Sequence, residues 1–112
     1  MTFLSKLTGA QRNQKSLLCV GLDADSKLLP SIVKNAPNPV LEFNKRIIEA
    51  TYDLVCAYKL NLAFYETLGE RGWKAIEQTL ASIPKDVLTI GDGKRGDIGN
   101  TSEQYAKALF SG

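Results

Sequence analysis

The sequence predicts an α/β fold built on a parallel sheet. Three observations carry this expectation: short apolar runs alternate with amphipathic segments, a charged residue closes each run, and the runs recur at nearly even spacing. The chain has 112 residues, enough for one small domain with one core.

Taken in order, Phe3, Leu4 and Leu7 share one helical face, so the first dozen residues are expected to form a short amphipathic lid helix. Residues 16–22 (SLLCVGL) are a continuous apolar run without polar alternation, as expected of a parallel strand buried on both faces. Lys34-Asn35-Ala36-Pro37-Asn38-Pro39 reads as a loop. Val40, Phe43, Ile47, Ile48, Thr51 and Leu54 then recur at intervals of three and four, which predicts a helix over 39–53. A second strand is expected at 55–60. Gly69 and Gly72 punctuate the chain before Trp73, Ile76, Leu80 and Ile83, which share one face of a helix that Pro84 stops. Residues 87–90 are a third apolar run, rich in β-branched side chains. A glycine-punctuated loop over 92–99 follows. Thr101 and Gln104 have capping-box spacing, so a last helix is expected to start there and run toward Phe110.

Strands alternating with helices require a parallel sheet with right-handed crossovers. Asp23, Lys59 and Asp92 at the strand ends are 36 and 33 positions apart. A (β/α)8 barrel of about 250 residues allots roughly 31 to each unit, so the spacing suits a barrel, as it suits a small doubly wound domain. Three strands cannot close a barrel, and a three-stranded parallel sheet leaves two unpaired edges. The expectation is therefore a truncated chain, holding the N-terminal part (about three βα units) of a TIM (β/α)8 barrel.

Composition narrows the function. Hydrophobic residues make up 44% and charged residues 23%, ordinary for a soluble globular protein. A formal charge of +2 without a basic run argues against nucleic acid or a membrane surface as partner. The longest apolar stretch, 17–22, is far too short to span a bilayer, and the first residues lack the features of a secretory signal, so a cytoplasmic protein is expected. Cys19 and Cys56 sit inside apolar runs without CxxC spacing and read as buried free thiols. Histidine is absent, so proton transfer near neutral pH falls to Lys, Asp, Glu, Tyr or Cys.

In parallel α/β folds, side chains at the carboxyl ends of strands converge on the ligand site. One charged residue there is ordinary solvation; three in succession suggest a site. The sharper feature is Asp92-Gly93-Lys94-Arg95-Gly96-Asp97-Ile98-Gly99-Asn100-Thr101. Residues two apart at a strand end point the same way, so Asp92 and Lys94 can touch. Two carboxylates, Asp92 and Asp97, would hold the ammonium charged. The plainer alternative is a surface loop with screened ion pairs, each contributing about 0–1 kcal/mol. Preceded by an apolar strand and followed by a helix start, the loop reads as a site.

DGKRGDIGNTSEQYA resembles the Asp-x-Lys-x-x-Asp-Ile signature of the orotidine 5′-phosphate decarboxylases, CVGLDAD resembles their first strand, and AYKLNLAFYE their second. Order and spacing agree over nearly the whole chain, in the form of the bacterial monofunctional group. Gly93 stands where Ala is more usual, a change expected to matter little. The resemblance implies decarboxylation of orotidine 5′-monophosphate to uridine 5′-monophosphate, with no metal and no organic cofactor. By the same resemblance, Asp23 would hold a ribose hydroxyl, and Lys59 would bridge ribose and Asp92. Asp92 would lie beside the substrate carboxylate, and Lys94 would protonate the ring carbon. Asp97, Ile98 and Thr101 would reach into the active site of a second subunit of a homodimer. The family's phosphate and pyrimidine contacts come from later strands and loops, so the fragment alone is expected to be inactive.

Two other readings stand beside this one. A sugar-phosphate enzyme of the same barrel suprafamily shares Asp-x-Lys-x-x-Asp but works on an enediolate with Mg²⁺, usually with a further acidic ligand on the second strand. Lys59 at that strand end and Ile98 after Asp97 favour the nucleotide enzyme. A non-catalytic interaction module would keep the motif only as scaffold. Trp73, Tyr52 and Tyr58 read as packing residues, and Asn61, Glu66 and Arg95 as polar groups near the rim of the site.

Overall fold

Thr2 opens the first helix, α1 (Phe3–Gln14), by accepting the Ser5 N–H at 3.2 Å; Lys15 closes it in the left-handed region at φ 49. The computed structural model describes residues 2–111. It continues with β1 (Cys19–Gly21), α2 (Ser31–Lys34), α3 (Pro39–Thr51), β2 (Ala57–Asn61), α4 (Ala63–Glu66), α5 (Glu70–Ser82), β3 (Leu88–Asp92) and α6 (Gly99–Phe110). The predicted α/β alternation is present, with two short helices, α2 and α4, added. At four residues each, they are too short to leave a periodic pattern.

The sheet is parallel throughout, in the order β1-β2-β3. Cys19 stands opposite Ala57 and Ala57 opposite Leu88; Gly21, Lys59 and Ile90 form the next rung on the same face, and Asn61 faces Asp92 beyond it. Side chains alternate across a strand, so Tyr58 and Leu60 point to the other face, where the helices lie. There they join Leu22, Val33, Ile48 and Val87 in the main core. Fully burying a side chain of this kind contributes about 1.5–3 kcal/mol. In α3, Asn38 caps the helix by accepting the Leu41 N–H at 3.3 Å, Pro39 starts it, and Val40, Asn44 and Ile48 make one buried stripe.

Five expectations are corrected. α1 is a helix but not a lid over the charged edge. Its Ala10 and Leu7 pack with Ala57, Leu88 and Ile90, closing the amino-terminal end of the sheet face that the other helices leave open. The first strand is not buried on both faces: Leu17 is 82% exposed and Cys19 is exposed, because their side chains lie on the sheet face away from the main helix layer. Cys56 is the buried thiol of the two. The buried side of α5 is Gly72, Ala75 and Thr79, whereas Trp73, 52% exposed, and Leu80 face outward. Tyr52 is exposed as well, and of the three aromatic residues read as packing groups only Tyr58 is buried.

Gly72 explains the shift in α5. A methyl group built there would overlap the Tyr65 carbonyl oxygen, lie 2.6 Å from its carbon and 3.2 Å from Leu68 Cβ. Small residues let α5 lie against the α4 backbone; Ile76 and Ile83 still pack on the main core, while Trp73 and Leu80 turn away. Gly72→Ala should therefore exceed the usual overpacking range and cost about 3 kcal/mol or more. For a domain near 100 residues that lowers the melting temperature by about 12 °C or more. Circular-dichroism melting of the chain checks this, and a shift of only a degree or two would show that α5 can move off at little cost.

Candidate active site

Because the three strands are parallel, their carboxyl ends meet at one edge, and that edge carries the charge. Lys59 lies one rung below Asn61 and Asp92 on the open face of the sheet. Asp23 follows β1 after Leu22, and its Oδ1 accepts the Asn61 N–H at 2.9 Å, which anchors the carboxylate to β2. Gly21 leaves room for it: a β-carbon there would lie 3.2 Å from Asp23 Oδ2.

At the end of β3 the Lys94 ammonium donates to the Asp92 carboxylate in a direct ion pair. The Lys94 side chain is 73% exposed and that of Asp92 21%. The Lys94 hydrogen bond holds the Asp92 carboxyl below the ordinary carboxylate range; partial desolvation works against it, and the charges of Lys94 and Lys59 add to the lowering. Asp92 therefore stays ionised at neutral pH, and its charge interacts with both lysines.

The loop after Asp92 is tied down on two sides. Arg95 pairs with Glu66 at the end of α4, donates to the Gly93 carbonyl at 3.2 Å, and lies 5.5 Å from the centroid of the Tyr105 ring of α6. Asn61, Glu66 and Arg95 thus all support the charged edge. The signal was their place in the sequence, each within five residues of Lys59, Leu62 or Lys94. At Gly93 a methyl would sit 3.0 Å from Leu62 Cδ1, the flexible end of that side chain.

Asp97, Ile98 and Thr101 stand apart from this cluster. Asp97 Oδ1 accepts the Ile98 N–H at 2.8 Å and its carbonyl accepts the Ser102 hydroxyl at 2.7 Å. Among the described residues Asp97 makes no ion pair with Lys94, whose partner is Asp92. Ile98 is 70% exposed and Thr101 partly buried. The helix begins at Gly99, two residues before the expected start, with Ile98 as N-cap. Thr101 then lies inside the first turn, and its N–H bonds Asn100 Oδ1 at 2.9 Å; the Thr101/Gln104 capping box does not form.

A parallel βα sheet that gathers lysine and aspartate side chains at its carboxyl edge is the architecture of α/β-barrel enzymes. Comparison with known proteins narrows it further. The profile of the Orotidine 5'-phosphate decarboxylase / HUMPS family matches residues 16–112, and the chain belongs to that family. It is 55% identical over 110 residues to the orotidine 5'-phosphate decarboxylase of Dehalococcoides mccartyi, covering 98% of this chain and 39% of that protein. It is 50% identical over 108 residues to the enzyme of that name from Herpetosiphon aurantiacus, covering 96% and 40%. The Leishmania donovani OMP decarboxylase structure superposes with a TM-score of 0.76 at 32% identity, over 98% of this chain and 40% of that one. The chain thus spans about two fifths of the length of these relatives, and its fold is the corresponding part of their barrel.

Proposed function

We propose that this chain is the Lys/Asp-bearing part of an orotidine 5′-phosphate decarboxylase, a carboxy-lyase that makes uridine 5′-monophosphate in pyrimidine biosynthesis. The observation that carries the reading is the Lys94–Asp92 ion pair at the carboxyl edge, with the charge of Lys59 acting on the same carboxylate. The bond between the pyrimidine ring and the substrate carboxylate breaks, and its electron pair stays on the ring carbon. Lys94 delivers its proton to that carbon as carbon dioxide leaves. A fixed ammonium aimed at developing negative charge needs little reorganisation, which is the source of its catalytic effect.

In this reading Asp92 lies beside the departing carboxylate, Lys59 joins the ribose to Asp92, and Asp23 accepts a ribose hydroxyl. Asp97, Ile98 and Thr101, on the outer side of the loop and the start of α6, serve the site of a second subunit in a cytoplasmic homodimer. The exposure of Ile98 supports that assignment. The reaction uses no metal or organic cofactor, and the 112-residue chain alone is inactive.

The test is a chimera in which this chain replaces the matching segment of the Dehalococcoides mccartyi protein, 55% identical to it. The chimera should convert orotidine 5′-monophosphate to uridine 5′-monophosphate with chelator present. Turnover of a sugar phosphate that depends on added Mg²⁺, without nucleotide turnover, would assign the chain to the sugar-phosphate branch instead.

A further inference from the structure

Between the sheet and helices α3, α4 and α5 lies a polar network that the proposed chemistry does not use. Asn44, Tyr65 and Thr79 are fully buried. The Tyr65 hydroxyl donates to the Leu22 carbonyl. With its one proton committed there, its oxygen accepts from Asn44 Nδ2 at 2.9 Å, and Nδ2 also donates to Thr79 Oγ1 at 3.0 Å. Among the described residues Asn44 Oδ1 is buried without a partner. Turning the amide over would set its carbonyl oxygen against the Tyr65 oxygen, two acceptors with no proton between them. The bond from Tyr65 to Leu22 therefore dictates the amide's orientation. Burial pushes the Tyr65 phenol up, the Asn44 bond opposes this, and the nearby Asp23 charge adds to it, so the hydroxyl remains a donor.

Leu22 is the residue before Asp23. Its N–H bonds the Lys59 carbonyl at 2.8 Å, and its own carbonyl goes to Tyr65, beyond the last β1 rung at Gly21. The Asp23 carboxylate then takes the Asn61 N–H. Backbone and side chain of this turn are thus held from opposite sides, by the helix layer and by β2. We infer that Tyr65, oriented by Asn44, is a positioning residue that fixes the Asp23 carboxylate for its contact with the nucleotide. This rests on the reading of Asp23 as the ribose ligand.

Binding of uridine 5′-monophosphate to the chimera, followed by calorimetry, tests it as a double-mutant cycle. Tyr65→Phe should weaken binding about tenfold, the effect of one well-placed hydrogen bond. Asp23→Ala should weaken it more, and adding Tyr65→Phe to Asp23→Ala should change nothing further. Asn44→Ser, which frees the hydroxyl without removing it, should act in the same direction and with the same dependence on Asp23, and serves if Tyr65→Phe does not fold. Leu88→Ala, in the smaller apolar cluster at the other end of the sheet, should lower the melting temperature without moving the affinity. Unchanged affinity in Tyr65→Phe and Asn44→Ser beside a weakened Asp23→Ala, or additive losses in the double variant, would overturn the inference. Unchanged affinity in Asp23→Ala would instead remove the ribose reading, and the positioning role with it.

Discussion

Lys94→Ala in the chimera is expected to lose at least ~10²-fold in decarboxylation rate while keeping its fold, the low end of what a positioned general acid supplies. The Lys94 side chain is 73% exposed and, among the described residues, makes one ion pair, with Asp92. An ion pair that open to water contributes little to stability, so the fold has little to lose. With histidine absent, proton donation near neutral pH rests on few side chains. Lys94→Arg sharpens the test. Arginine restores the positive charge but does not give up its proton at neutral pH, so the rate should stay low if Lys94 is the acid. Recovery in the Arg variant would assign Lys94 to charge stabilisation alone, and near-normal turnover in Lys94→Ala would remove it from the mechanism.

The charged edge was the most legible part of this chain, and the reason is geometric. A parallel strand ends in one direction only, so a charged residue after an apolar run fixes both a position and a neighbourhood. Asp23, Lys59, Asp92 and Lys94 lie at that edge. The sides of the helices were harder to read. In α5 the pattern of large apolar residues pointed to Trp73, Ile76, Leu80 and Ile83; Ile76 and Ile83 do pack on the core, but close approach to the α4 backbone selects small residues, so the helix buries Gly72, Ala75 and Thr79 while Trp73 and Leu80 face outward. Hydrophobicity reports what prefers to leave water; it does not report how near two backbones must come.

Buried polar groups escaped for a related reason. Asn44 falls four residues after Val40 and four before Ile48, so it sits on the buried stripe of α3, a placement that the alternation of apolar residues conceals. Only the partners it meets, Tyr65 and Thr79 from two other helices, give it a role, and these lie 21 and 35 residues away in sequence. The α6 start was misplaced because two signals competed. Thr101 and Gln104 have the right spacing, but Asp97 and Asn100 offer acceptors to the Ile98 and Thr101 N–H groups first.

The isolated 112-residue chain should bind orotidine 5′-monophosphate weakly, turn it over undetectably and self-associate, although the charged edge is present in full. Differential binding of the transition state draws on remote parts of the substrate, above all its phosphate, and catalysis falls when that anchor is lost. The chain spans 39% of the length of its Dehalococcoides mccartyi relative, and the charged groups of its edge are committed to the Lys/Asp cluster and the Arg95 clamp. The outer edges of β1 and β3 have no strand partner among the described residues, while Leu17, Ile98 and Phe110 expose apolar surface. Unpaired strand edges beside apolar surface favour association with other chains. Sedimentation velocity of the purified chain should therefore report species larger than a monomer, and its activity should stay at background where the chimera is active. A monodisperse monomer matching the chimera in rate would mean that the Lys/Asp edge works without a remote anchor, and that the transition state is held by the groups at Asp23, Lys59, Asp92 and Lys94 alone.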